Sequence, residues 1–214
     1  MEWLRKLLLG SGSHIVPRYG AAQEEPDPID WHCVEDELVT LAEEQIQAFA
    51  ASHASESFYG FGFDCDSNEG QVLLCLNSRA AQIEAAQQTL SRHPDLYQGE
   101  SEQEVARSIE WGFGDWKYQG FNLRSKTWSK RWRRVEILVG NALNMLGMNR
   151  KAKAMQELRE SFMEMACRAL HRVGSSRSIT MLRRDSDFRT LCADHDEGPE
   201  DGFTRMARIA GRGV

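Results

Sequence analysis

"SFYGFGFDCDSNEGQVLLCLNS", residues 57–78, sets two glycines between aromatic residues, follows them with a short acidic run, and closes on a second apolar stretch. Three structures compete for such a segment: a nucleotide-binding glycine loop, a calcium loop and an aromatic hairpin. A dinucleotide fingerprint needs a third glycine and a helix directly after it, because the helix N-terminus holds the pyrophosphate. Here DCDSNEG follows, and it reads as a turn. Asp64, Asp66 and Asn68 do stand at the first three ligand positions of an EF-hand. The sixth position is Glu69 instead of glycine, however, and the twelfth is Cys75 instead of a bidentate glutamate. The hairpin is the reading that survives. On a period of two, Tyr59, Phe61, Phe63 and Cys65 share one face of the first strand, and Phe58, Gly60, Gly62 and Asp64 share the other. The glycines leave that second face open to close approach by another element. Residues 71–77 form the return strand, with Val72, Leu74 and Leu76 opposite Leu73 and Cys75, an apolar pattern expected of a strand covered on both sides.

Working outward, Val34, Leu38, Leu41, Ala42, Ile46 and Phe49 recur at helical spacing, and Asp27 with Pro28 supplies a start signal. Glu35, Asp36, Glu37, Glu43 and Glu44 crowd the remaining positions and predict a solvated helix face. Residues 79–90, rich in alanine and glutamine, predict a helix that ends before HPD at 93–95, and 102–109 a further helical turn. Apolar stripes over 127–148 and 150–172, with Gly147 and Asn149 as a stop between them, predict an antiparallel helix pair. Residues 188–193 suit a late strand beside the hairpin. After it, Asp194, Asp196, Glu197, Glu200 and Asp201 concentrate negative charge in what reads as a loop broken by Gly198, Pro199 and Gly202. The expected fold class is α+β: a small, mainly antiparallel sheet built on the central hairpin, packed by helices at 28–52, 79–92, 127–147 and 150–172. Residues 27–214 make a single domain, preceded over 1–26 by a short helix carrying Trp3, Leu4, Leu7 and Leu8 and by a connector.

The chain has 214 residues with a formal charge of -6, which disfavours binding driven by nucleic-acid phosphates and favours capture of a basic partner. Its five cysteines are odd in number and include no C-x-x-C pair, so a reducing cytoplasm is expected. No apolar run predicts a membrane span or an export signal. The six histidines show no metal-ligand spacing, and no nucleophile elbow or phosphate loop occurs. No catalytic residue, cofactor or metal is therefore assigned. Residues 109–134 hold four of the six tryptophans and, after Asp115, seven basic residues with no acidic residue among them. Such interleaving suits single-stranded nucleic acid, and residues 117–134 keep a nucleic-acid-binding module as an alternative. Internal pairing of these cations with the acidic helix and the acidic run is the preferred account. A further alternative is an enzyme whose site is assembled from remote residues.

The segments "FYGFGFDCD", "VLLCLNS" and "IEWGFGDWKYQGF" together resemble a bacterial family of unknown function, over roughly residues 34–146. Asn77 and Ser78 match its strand end, and Glu110, Trp111, Asp115, Trp116 and Tyr118 match its tryptophan-rich element. Related proteins resemble cytoplasmic immunity proteins that accompany secreted polymorphic toxins, including type VI secretion effectors. The resemblance implies a non-enzymatic inhibitor of a cognate toxin, expected to be a basic nuclease, bound through acidic surface; a homodimer stays open. The residues expected to carry this contact are Asp64, Asp66 and Glu69 at the hairpin tip, Asp115 with Trp116, and Asp194, Asp196, Glu197, Glu200 and Asp201. The acidic run after residue 194 lies outside the family's pattern.

Overall fold

Asp30 opens the first helix by accepting a hydrogen bond from the backbone N–H of Cys33 at 3.0 Å. The computed structural model describes residues 30–122, 133 and 148–211. Helix α1 (Trp31–Ser52) thus begins later than the Asp27 cap predicts, and Asp27 itself lies outside the described residues. Val34, Leu38, Ala42, Ile46 and Phe49 form its buried stripe as the spacing requires.

Strands β1 (Ser57–Asp66) and β2 (Gln71–Ser78) are the expected antiparallel hairpin. Its turn is tied by the Asp66 carboxylate, which accepts from the N–H groups of Asn68 at 3.0 Å and Glu69 at 3.1 Å, while Gly70 takes the left-handed conformation at φ 58°. One feature departs from strict alternation. Phe58 pairs with Ser78 and Gly60 with Asn77, so β1 carries an extra residue at Tyr59. This bulge inverts the phase of the strand's start. Phe58 joins Phe61, Phe63 and Cys65 in the main core, and Tyr59 turns to the face of the two glycines, the reverse of the period-two expectation.

Strand β3 (Tyr118–Asn122) pairs antiparallel with β2, and β4 (Arg183–Asp194) pairs parallel with β1, giving the order β3-β2-β1-β4. The α+β class holds, and the sheet is mainly antiparallel as expected, with two antiparallel pairings and the parallel β1–β4 pairing that makes it mixed. The late strand is longer than residues 188–193, and its exposed first half is bulged: Phe58 faces Arg184 and Gly60 faces Arg189. Extra residues and arginines on a free edge discourage pairing with other chains.

Helix α4 (Met148–Gly174) lies with α1 across one face of the sheet, so Asn149, read as part of a stop, sits in its first turn. Phe162, Met165, Ala166, Ala169 and Leu170 fill the space between. The two helices are also bolted by charge. Glu35, expected on a solvated face, is only 3% exposed and accepts from Arg168 at 2.7 Å and Arg172 at 2.9 Å. The correction has a simple cause: Glu35 follows Val34 on the flank of the stripe, where α4 supplies cations.

Helices α2 (Arg79–Arg92) and α3 (Glu102–Ser108) build a satellite core from Ala86, Val105, Ala106 and Ile109. A reciprocal capping box between Ser101 and Glu104 starts α3. Ser101→Ala is expected to cost about 1 kcal/mol locally, seen as roughly five-fold faster amide exchange at Val105 and Ile109 with little change in the sheet. Helix α5 (Pro199–Ala210) corrects the last expectation, because the acidic run is no loop after residue 198. Pro199 occupies the first helical position, Glu200 and Asp201 face the positive end of the dipole, and Gly202 lets the helix touch β4, where a Cβ would lie 2.7 Å from the Cys192 carbonyl. The expected helix at 127–147, the N-terminal helix over 1–26 and the basic segment beyond residue 122, Arg133 apart, fall outside the described residues.

Candidate acidic cleft

The face of β1 that carries Tyr59, Gly60 and Gly62 is covered by the segment joining α3 to β3. A Cβ at Gly60 would fall 2.8 Å from the Trp116 indole, and one at Gly62 would fall 2.5 Å from the Phe113 ring and 2.6 Å from the Leu191 carbonyl oxygen. Both positions therefore need glycine so that aromatic rings can lie directly on the backbone. Trp111 and Trp116 pack edge-on or tilted against each other and Tyr59, Phe113 packs edge-on against Trp116, and Trp111 meets Phe203 of α5 at 5.0 Å between ring centres.

Polar groups fix this segment. The Tyr59 hydroxyl donates to the Glu110 carbonyl at 2.6 Å and accepts from the Asn77 amide at 3.1 Å; the Trp116 indole N–H donates to the same carbonyl at 2.9 Å. Burial pushes the Tyr59 phenol well above its usual range, so it stays a neutral donor. Arg79 lies 4.0 Å from the Tyr59 ring centre, donates to Glu110 at 2.6 Å, and pairs with Asp187 on β4. Ser78 and Tyr118 donate to Glu56 at 2.6 Å and 2.5 Å. Burial alone would raise the Glu56 carboxyl, but these two hydrogen bonds, together with the nearby Lys117 and His53, outweigh it and hold the group low. The matched motif residues Asn77, Ser78, Glu110, Trp116 and Tyr118 thus act as a staple between the sheet and the aromatic segment.

Beyond the staple the sheet ends in a cleft. Parallel register places Asp64 beside Ala193 and Cys65 beside Asp194, and the His195 N–H then donates to the Cys65 carbonyl at 2.6 Å. The chain turns and enters α5 at Pro199. Asp64, Trp111, Phe113, Asp194, His195 and Glu197 are among the residues that enclose a cavity of about 220 Å³. Asp64 forms part of its wall, with a side chain 12% exposed and His195 Nδ1 at 3.5 Å. Burial raises the Asp64 carboxyl, His195 partly offsets this, and Asp194 and Asp66 push it further up. Glu197 is held low chiefly by Arg205, which grips it at 2.5 and 2.7 Å. No lysine or arginine among the described residues pairs with Asp64 or Asp194.

A raised carboxyl means that the folded state binds the proton more tightly than the unfolded one, so Asp64 costs stability once pH exceeds its folded value and the cost is relieved as pH falls toward 3.8. Asp64→Asn is therefore expected to stabilise the fold at neutral pH by up to about 1 kcal/mol, read from urea midpoints, with the gain vanishing in acid. An equal loss at both pH values would show that the carboxylate is a structural contact.

Of the expected contact residues, Asp64, Asp194 and Glu197 line the cleft. Asp196 is exposed in the turn after β4, and Glu200 and Asp201 are exposed in the first turn of α5 beside Pro199. Asp115 is exposed on the aromatic segment and does not line the cleft. Asp66 and Glu69 stay at the hairpin tip, where Asp66 serves the turn. Trp116 is buried at 2% exposure and packs on Gly60, so its surface is spent inside the fold. Phe113 and His195 were missed. Phe113 stands inside the quoted motif IEWGFGDWKYQGF without being marked as a contact residue, and His195 reads in the sequence as one of six histidines that lack metal-ligand spacing. Cys65 and Cys192 lie on the opposite face, where burial pushes both thiols up and away from reactivity. Among the described residues no three His, Cys, Asp or Glu side chains group as metal ligands, and no helix is long and apolar enough to cross a membrane.

A family model described as Domain of unknown function (DUF4303) matches residues 39–177. The matched span includes the hairpin, the aromatic segment and α4, and it ends before β4 and α5. No curated protein and no solved structure matches the chain.

Proposed function

Since the chain belongs to the DUF4303 family of domains of unknown function, we propose its role from the cleft itself: a non-enzymatic, cytoplasmic binder that neutralises a basic toxin by stoichiometric contact. The observation that carries this reading is the meeting of carboxylates from two distant segments, Asp64 of β1 and Asp194 with Glu197 after β4, beside the half-buried rings of Trp111 and Phe113. Acidic side chains that lack internal cations speed encounter with a positive surface, and aromatic groups beside them supply contact area at its centre. A secreted nuclease, such as a type VI effector, has a cationic phosphate-binding cleft that such a surface complements.

The test is to look for a toxin-like reading frame beside this gene, co-express its product with this protein, and measure the complex formed by the purified proteins. Reversing Asp64, Asp194 and Asp196 together to lysine is expected to weaken the complex by roughly 100-fold and abolish rescue of growth. Unchanged affinity in the reversed variant, or retention of the native protein on single-stranded DNA at physiological salt, would overturn the reading.

A further inference from the structure

We propose that the cleft is a receptor for one arginine side chain of the partner, its guanidinium lodged between the Asp64 and Asp194 carboxylates and the faces of Trp111 and Phe113. This rests on the reading of the protein as a binder of a basic partner and gives that reading a chemistry. At about 220 Å³ the cavity falls below the roughly 300 to 1,000 Å³ of ordinary small-molecule sites, so it suits a single side chain better than a nucleotide. Its carboxylates are under-compensated: Glu197 is taken by Arg205, whereas Asp64 meets only an imidazole and Asp194 no described lysine or arginine.

The aromatic wall selects arginine over lysine. A planar guanidinium stacks on rings and forks onto carboxylates, whereas an ammonium does neither as well. The chain already uses this preference on the same wall. Arg189 lies 4.1 Å from the ring centre of Phe203 and 5.4 Å from that of Trp111, and both rings belong to the cluster that borders the cavity. The burial that raises the Asp64 carboxyl is also the condition under which an incoming cation gains most, because little water competes.

The experiment titrates the full chain with Nα-acetylarginine amide, its lysine counterpart and the neutral citrulline isostere, following backbone and indole resonances by NMR. The expected result is saturable shifts confined to Trp111–Gly114 and Ala193–His195 with the arginine amide. The lysine amide should bind about ten-fold more weakly, because an ammonium lacks the bidentate fork and the ring stacking, and citrulline not at all, because it lacks the charge. Asp64→Asn and Asp194→Asn should each weaken arginine binding by about ten-fold, with thermal melts confirming that both variants fold. Equal binding of lysine and arginine, shifts elsewhere on the surface, or indifference to both substitutions would overturn the proposal. Capture of a basic toxin without arginine-amide binding sinks the arginine receptor alone; arginine-amide binding without any toxin capture sinks the neutralising role alone.

Discussion

Gly62→Ala is expected to lower the unfolding free energy by about 3 kcal/mol, the upper end of ordinary overpacking, because neither neighbour can give way cheaply. The new Cβ would stand 2.6 Å from the backbone oxygen of Leu191 and 2.5 Å from the Phe113 ring. The oxygen belongs to β4, whose register with β1 would have to open; the ring belongs to the cleft wall and would swing out. Urea denaturation should therefore show a much earlier midpoint, and arginine-amide shifts at the cleft should weaken in the surviving folded fraction. Gly114→Ala is the control: a Cβ there meets open space, the residue has no positive φ, and the change should stay within about 0.5 kcal/mol. Similar losses for the two would mean that the aromatic segment does not rest on the strand as described.

Glu35→Ala is expected to cost about 3 to 4 kcal/mol, because removing one member of a buried ion network strands the others. Arg168 and Arg172 both converge on this carboxylate, and Asp36, which is exposed, can retain only Arg172. The variant should lose cooperativity between α1 and α4 first, visible as faster amide exchange along the facing sides of both helices. Asp36→Ala provides the comparison and should cost well under 1 kcal/mol, as surface pairs do. If the two substitutions cost the same, the clamp is not buried in solution.

Much of the architecture could be read before any coordinates. The hairpin followed from period-two alternation and from eliminating two loop motifs; α2 and the α4 stripe followed from composition and spacing. The bulge at Tyr59 could not, since nothing local distinguishes an extra residue from a strand in phase, and the deciding contact is a hydroxyl reaching Glu110 and Asn77 far along the chain. The parallel pairing of β1 with β4 was equally hidden, because strand direction within a sheet leaves no trace in side-chain periodicity. Helix α5 was legible and misread: Gly198, Pro199 and two acids form a helix start, and attention to their charge obscured it. At the cleft, Asp64 reads in the sequence with the hairpin tip and Asp194 and Glu197 with a separate acidic run; their convergence depends on register, and Trp116 is a core residue whose burial no composition argument reveals.

The strand order has a consequence for how the molecule is made. The central strand β1 acquires one neighbour within a few residues, but its other neighbour begins only at Arg183, late in synthesis. Until the ribosome has released that segment, the nascent hairpin offers an open row of amide and carbonyl groups beside Phe58, Phe61 and Phe63, the kind of surface that chaperones hold and that aggregates when left alone. Completion of the sheet is thus a late, long-range closure, and slow translation through the intervening region should lower the yield of native protein more than in a fold whose strands pair in order.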